Sequence, residues 1–176
     1  MDKEILQNII KGNKEAFKTL YDHYFDRGFR AAMAITKNKE MAKDAIQETF
    51  IRVYQNISAY DTNRPFEPWF YRILINECNR LLKKESKLKF VDHTFLENDR
   101  LAKDEKEDFS DLLESILSLK SIYRIPVILK YLQGFPEKEI ASIMDLNVNT
   151  VKSRLFKGRE KLRIALETME NRRKKI

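Results

Sequence analysis

Between residues 44 and 57 the apolar side chains Ile46, Phe50, Val53 and Ile57 follow the spacing i, i+4, i+7, i+11, which predicts a helix with one buried stripe. Its far side carries Asp44, Gln47, Glu48, Ile51, Arg52 and Gln55, with Tyr54 at the border. An isoleucine among acids and amides suits a partner-docking face. A merely solvated face fits the same pattern. A second helix is predicted from near Trp69, with Phe70, Tyr71, Leu74, Ile75, Cys78, Leu81 and Leu82 on one broad side. Opposite them lie Trp69, Arg72, Asn76, Asn79, Arg80, Lys83 and Lys84. Two readings of that indole stand side by side: a platform on which an unpaired base stacks, or a ring folded back onto the preceding loop.

Residues 137–163 read as two short amphipathic helices separated by a turn. Ile140, Ala141 and Met144 mark the buried side of the first; Val151, Leu155, Leu162 and Leu166 mark that of the second. Lys152, Ser153, Phe156 and Lys157 lie opposite, so donors, cations and an aromatic ring are offered together at the start of the second helix. This is the pattern of a helix-turn-helix whose second helix enters a major groove. An ordinary surface hairpin of helices is the competing reading. Asp145, Asn147 and Asn149 in the turn tolerate left-handed backbone and can cap the helix that follows. The stretch Ser58–Pro68 has two prolines, two aromatics and Asx residues, which favour a defined non-helical path. It is either an ordinary interhelical loop or the wall of a pocket for a base extruded from a duplex.

The same periodicities run through most of the chain, and four glycines leave little turn chemistry for strands, so the fold is expected to be all-α. Charge divides the 176 residues into three. Residues 1–96 carry 17 Lys+Arg against 13 Asp+Glu, and residues 112–176 carry 14 against 7. Between them, residues 97–111 reverse the sign with seven acids and three bases. Two small helical domains, 1–90 and 112–176, joined by a flexible acidic linker at 91–111, follow from that division. The tail from Asn171 to Ile176 is basic and expected to fray.

A net charge of +7 favours a polyanionic partner without identifying one. A single cysteine, Cys78, rules out an intrachain disulfide or a multi-cysteine metal site and fits a reducing cytoplasm. No long apolar run predicts a membrane span. His23 and His93 stand far apart and neither sits in a ligand or triad pattern, so no catalytic constellation, cofactor site or small-molecule substrate is expected.

Four strings in order carry a family likeness: Asp44-Ala-Ile-Gln-Glu-Thr-Phe-Ile-Arg52, Trp69-Phe-Tyr-Arg-Ile-Leu-Ile-Asn76, Tyr131-Leu-Gln-Gly-Phe-Pro-Glu-Lys-Glu-Ile-Ala-Ser-Ile-Met144 and Val148-Asn-Thr-Val-Lys-Ser-Arg-Leu-Phe-Lys-Gly-Arg-Glu-Lys-Leu162. Together they resemble the bacterial extracytoplasmic-function sigma factors, of the sigma-70 family. The resemblance implies a non-enzymatic promoter-specificity subunit that binds core RNA polymerase and helps open DNA.

By position, Asp44, Gln47, Glu48, Ile51, Arg52 and Gln55 would dock on the clamp coiled coil of polymerase. The helix at 112–119 and its neighbour would pack on its flap. Tyr60, Asn63, Arg64, Phe66, Trp69, Arg72, Asn76, Arg80, Lys83 and Lys84 would meet the minus-ten element and its displaced non-template strand. Lys130, Asn149, Thr150, Lys152, Ser153, Arg154, Phe156 and Lys157 would meet the minus-thirty-five duplex. The acidic linker would thread the polymerase channel. An inhibitory anti-sigma factor, often membrane-bound, is implied too, so the chain is expected in the cytoplasm at the nucleoid or held at the inner face of the membrane. A transcriptional regulator that binds operator DNA without polymerase is the alternative.

The chain departs from the family pattern at a few positions. Lys120 replaces a customary proline, Pro126 falls inside the next helix and predicts a kink or restart, and Pro136 replaces a Ser or Thr cap. Asn147 and Asn149 stand where Pro and Gly are frequent.

Overall fold

The computed structural model describes residues 2–91 and 107–173, and their regular elements are all helical. In order they are α1 (Lys3–Ile10), α2 (Lys14–Thr36), α3 (Lys39–Asn56), a 3-10 turn (Ile57–Ala59), α4 (Phe66–Val91), α5 (Glu107–Ser118), α6 (Ser121–Val127), a π-helical turn (Ile128–Leu132), α7 (Glu137–Met144) and α8 (Val148–Arg173). The first four helices form one compact unit, and most of the chain from α5 onward forms a second.

In the first unit short polar side chains set the helix starts. Oδ1 of Asn13 accepts from the amides of Glu15 and Ala16, and Oδ1 of Asn38 from that of Met41. Helices α2, α3 and α4 pack on one another. The predicted stripe of α3 is buried, with Ile46, Phe50, Val53 and Ile57 at most 4% exposed. On α4, Phe70, Tyr71, Leu74, Ile75 and Cys78 are buried as expected, while Leu81 and Leu82 are half-buried. Each fully buried Val, Leu, Ile or Phe among them contributes about 1.5–3 kcal/mol. At Gly28 the helices come too close for a side chain, because a Cβ there would lie 2.6 Å from Ile46 Cδ1 and 3.3 Å from the Phe70 ring.

Helix α4 starts three residues earlier than the sequence pattern suggests. Phe66, Glu67 and Pro68 form its first turn, where proline's missing amide has no partner to lose.

In the second unit α8 packs on α5 and α6. Val151 and Leu155 are buried, Leu162 and Leu166 half-buried, and Gly158 lies between them on the same stripe. A Cβ on Gly158 would sit 2.9 Å from Val127 Cγ2. The buried guanidinium of Arg124 donates to the carbonyls of Leu119 at 2.7 Å and Leu117 at 3.3 Å, which satisfies acceptors at the end of α5.

Pro126 does not break its helix. α6 continues to Val127 and widens directly into the π-helical turn, where the Gln133 amide donates to Ile128 O at 3.1 Å. At α7 the Pro136 carbonyl accepts from the amides of Glu139 and Ile140, so backbone replaces the missing side-chain cap. Asp145 has φ 53°, and Oδ1 of Asn147 accepts from the Asn149 amide at 2.7 Å, capping α8.

Two boundaries read from composition shift. Residues 107–111, assigned above to the acidic linker, are helical as the start of α5, a place where acidic residues are favoured by the helix dipole. The linker expectation for 92–106 lies outside the described residues. Similarly, α8 runs to Arg173, so the expected fraying does not begin at Asn171; residues 174–176 lie outside the description.

Candidate nucleic-acid and partner interface

Every residue predicted on the docking side of α3 lies at the surface: Asp44, Gln47, Arg52 and Gln55 are exposed, Glu48 is half-buried and Ile51 is 41% exposed. Beside them runs an apolar groove of about 570 Å³, lined by Phe17, Tyr21 and Phe25 of α2 together with Ile46, Phe50, Ile51 and Tyr54 of α3. Tyr54 is 54% exposed and meets Phe17 edge-on at 5.1 Å. The sequence reading missed the α2 half of this groove. Its signal was present as three aromatics spaced by four, but those rings serve core and surface at once.

Arg52 is not simply presented to solvent. Its Nε lies 3.2 Å from Glu48 Oε1 and 2.7 Å from Glu77 Oε1. Glu77 is a side chain only 5% exposed, and its other oxygen takes Arg80 Nε at 2.7 Å. That hydrogen bond and charge hold the Arg80 guanidinium above its usual range. Glu77 was not singled out from sequence, although an acid beside Phe70 and Leu81 on the helical wheel is the signal that would have found it.

On α4, Arg72, Asn76, Arg80, Lys83 and Lys84 are exposed as predicted. Trp69 combines features of both readings. It is half-buried and packs against the loop, 4.7 Å from the Tyr60 ring and 5.6 Å from Phe66, without being sealed inside. Phe66 is a correction: at 4% exposure, against Tyr24 and Phe70, it forms the floor of the cluster rather than a contacting surface. The loop itself is well determined by its own bonds. Tyr60 OH donates to Arg64 O, Asp61 Oδ1 accepts from the Asn63 amide, and Lys3 Nζ of α1 donates to Asn63 Oδ1 at 2.9 Å. Asn63 is thereby already engaged, and α1 emerges as a brace for the loop that the sequence reading left out. Arg64 is exposed and paired with Asp61 at 3.4 Å.

The ring contacts form an unbroken run. From Trp69 they pass through Phe66, Tyr24, Phe70 and Phe50 to Tyr21 and Phe17, with centroids 4.5 to 6.4 Å apart, and Tyr54 closes the far end. Edge and tilted geometries of this kind are the preferred ones for aromatic quadrupoles.

In the second unit Asn149, Thr150, Ser153, Arg154 and Lys157 line a groove of about 410 Å³ along the start of α8, with Ile122 and Tyr123 of α6 forming the other wall. The α6 pair was missed, since Ile122 reads as core yet is 45% exposed. Lys152 and Phe156 are exposed, Phe156 at 60%, but lie outside that groove. Lys130 is half-buried and 3.7 Å from Glu137, so part of its charge is spent within the protein. Among the described residues no cluster of His, Cys, Asp and Glu is arranged to hold a metal, and no helix is long and apolar enough to cross a membrane.

Residues 20–88 match the family description of sigma-70 region 2, and residues 109–162 match that of sigma-70 region 4. The chain is 30% identical over 184 aligned positions to the ECF RNA polymerase sigma factor SigW of Bacillus subtilis, covering 96% of this chain and 98% of that one. It is 28% identical to the RNA polymerase sigma-H factor of Pseudomonas aeruginosa, with 96% and 95% covered. Two solved structures share the fold at 22% identity. CnrH, in complex with the cytosolic domain of CnrY, has a TM-score of 0.74 with 95% of this chain and 97% of that one covered. The sigma factor RpoE of Bartonella quintana, in complex with the anti-sigma factor NepR, has a TM-score of 0.76 with 86% and 96% covered. The chain therefore belongs to the extracytoplasmic-function sigma factors of the sigma-70 family.

Proposed function

We propose that this chain is a promoter-specificity subunit that binds core RNA polymerase, directs it to particular promoters and favours strand separation. One observation carries the reading. A single chain joins a region 2-like unit, which offers both an apolar docking groove and a basic face edged by Trp69, to a region 4-like unit with a capped helix-turn-helix. A free-standing operator-binding regulator has no use for the first of these, and the match over residues 20–88 favours the sigma reading over it.

In this division of labour Gln47, Ile51 and Gln55, with Tyr21 and Tyr54, receive an apolar segment of polymerase, and Arg52 meets it at the groove's edge. The flap contact falls to α5, where Leu112 and Leu113 are 40% and 43% exposed. Arg72, Asn76, Lys83 and Lys84 hold the minus-ten backbone, and the exposed part of Trp69 stacks an unpaired base. Asn149, Thr150, Ser153, Arg154 and Lys157 enter the minus-thirty-five major groove. Opening runs on binding energy, and the subunit itself catalyses nothing. It works in the cytoplasm, and an anti-sigma protein, membrane-bound in one arrangement, holds it inactive.

The experiment is transcription in vitro from a promoter library with purified core polymerase. Promoter-specific transcripts that appear only when the chain is added are expected. A chain that neither comigrates with core polymerase nor yields such transcripts would refute the reading.

A further inference from the structure

Glu77 is an acid inside an apolar face, and both its carboxylate oxygens are used, one by Arg52 of α3 and the other by Arg80 of α4, each at 2.7 Å. The carboxylate is 5% exposed, whereas the two arginines remain 44% and 51% exposed. A buried charge left without partners is costly, so the carboxylate holds both guanidinium groups firmly although they lie near solvent. With Glu48 also on Arg52, the four side chains carry two positive and two negative charges, and the cluster is neutral. Arg80 thus stands on the basic face by sequence without adding to its positive field. Lys83, Lys84 and Arg72 of the same helix are exposed as Arg80 is, but among the described residues no carboxylate is paired with them.

We propose that Glu77 is a positioning residue that fixes Arg52 at the polymerase-docking edge and withdraws Arg80 from the set of cations that reach promoter phosphates. This rests on the sigma-factor reading given above. Two consequences separate it from a plain core-packing role. Glu77 acts on docking through Arg52, so removing both should do no more harm than removing Arg52. Freeing Arg80 should add a phosphate contact and steepen the salt dependence of promoter binding, whereas loosening the fold would weaken binding at every salt concentration alike.

The test uses the full chain and purified core polymerase. Glu77→Gln keeps the shape and removes the charge. It is expected to weaken core binding about tenfold. The double variant with Arg52→Gln is expected to match Arg52→Gln alone. The log–log salt slope of holoenzyme on promoter DNA should steepen by about 0.9 in Glu77→Gln and stay at the wild-type value in Arg80→Gln. Multiplying effects in the double variant would overturn the proposal, as would a slope that falls by about 0.9 in Arg80→Gln. If Glu77→Gln fails to fold by circular dichroism, Arg80→Gln decides the phosphate half through its salt slope and Arg52→Gln the docking half, where unchanged core binding would overturn the proposal. Should the wild-type chain not bind core polymerase, the sigma reading falls and takes this proposal with it. If wild type binds and the variants behave otherwise than expected, only the role of Glu77 falls.

Discussion

The first unit packs Tyr24, Phe50, Phe66 and Phe70 into one ring cluster that Gly28 meets at Phe70, whereas the second unit buries Val127, Ile128, Leu129, Val151 and Leu155, with Gly158 against Val127. Both crossings exclude a side chain, yet what radiates from them differs. In the first unit the rings continue outward to Trp69 at one end and to Tyr21 and Tyr54 at the other, so both surface sites are extensions of the core. In the second, the groove-lining residues of α8 are polar, and the buried apolar side chains are aliphatic apart from Phe135. The surfaces proposed for promoter opening and docking therefore depend on interior packing, and the surface proposed for duplex reading depends on helix capping and charge.

Phe70→Ala is the largest way to break that contrast. Truncating this fully buried ring should cost about 3–5 kcal/mol and accelerate amide hydrogen exchange in α2 to α4 while sparing α8. Equal acceleration in α8 would mean that the two cores are not separate. Trp69→Ala should remove about 1–3 kcal/mol from the open complex, read by permanganate reactivity of unpaired thymines, with closed-complex binding little changed. A proportional loss in both would place the indole on duplex DNA instead.

Gly158→Ala should destabilise the second unit by about 1 kcal/mol, since overpacking against the buried Val127 outweighs the gain in helix propensity. A rise in melting temperature would show that the crossing has slack. Lys157→Ala should lower the salt slope of duplex binding by about 0.9 and leave core polymerase affinity unaltered. A fall in core affinity would merge the roles assigned to the two units. The smallest effect belongs to Cys78, whose thiol is pushed up to about 12 by burial and, less, by the neighbouring Glu77 carboxylate. Thiolate is scarce near neutral pH and appears only as the pH approaches that value, so alkylation should proceed at the rate of unfolding. Labelling at the rate of a free thiol would show that the α4 core opens.

The stripes on α3 and α8 were legible because apolar and polar residues there keep to opposite sides with helical period. The turn before α8 was legible because Asp145 and Asn147 do locally what their chemistry allows. Legibility failed where one residue serves two purposes. Phe17, Tyr21 and Phe25 line a groove while touching the core, and Ile122 looks like interior but forms a wall. Phe66 followed the opposite course, a loop aromatic by sequence that tertiary packing drew inward. The start of α5 was lost because acids that read as solvated composition also suit the positive end of a helix. Asn63 and Arg80 lie at the surface as their sequence context suggests, but pairing with Lys3 and Glu77 is long-range or buried and leaves no periodic trace.

The wide turn at Ile128–Leu132 has an effect on counting. A π-helical turn holds about one residue more than an α-helical one, so everything after it is rotated by roughly 100° relative to an unbroken spiral. Tyr131 and Leu132, each 51% exposed, emerge on consecutive positions there, and the Tyr131 hydroxyl meets Arg159 of α8 at 3.2 Å. Deleting a single residue from this stretch would mend the spiral and swing the tyrosine away from that arginine, so the length of the segment is itself inherited information, as binding as the identity of any side chain in it.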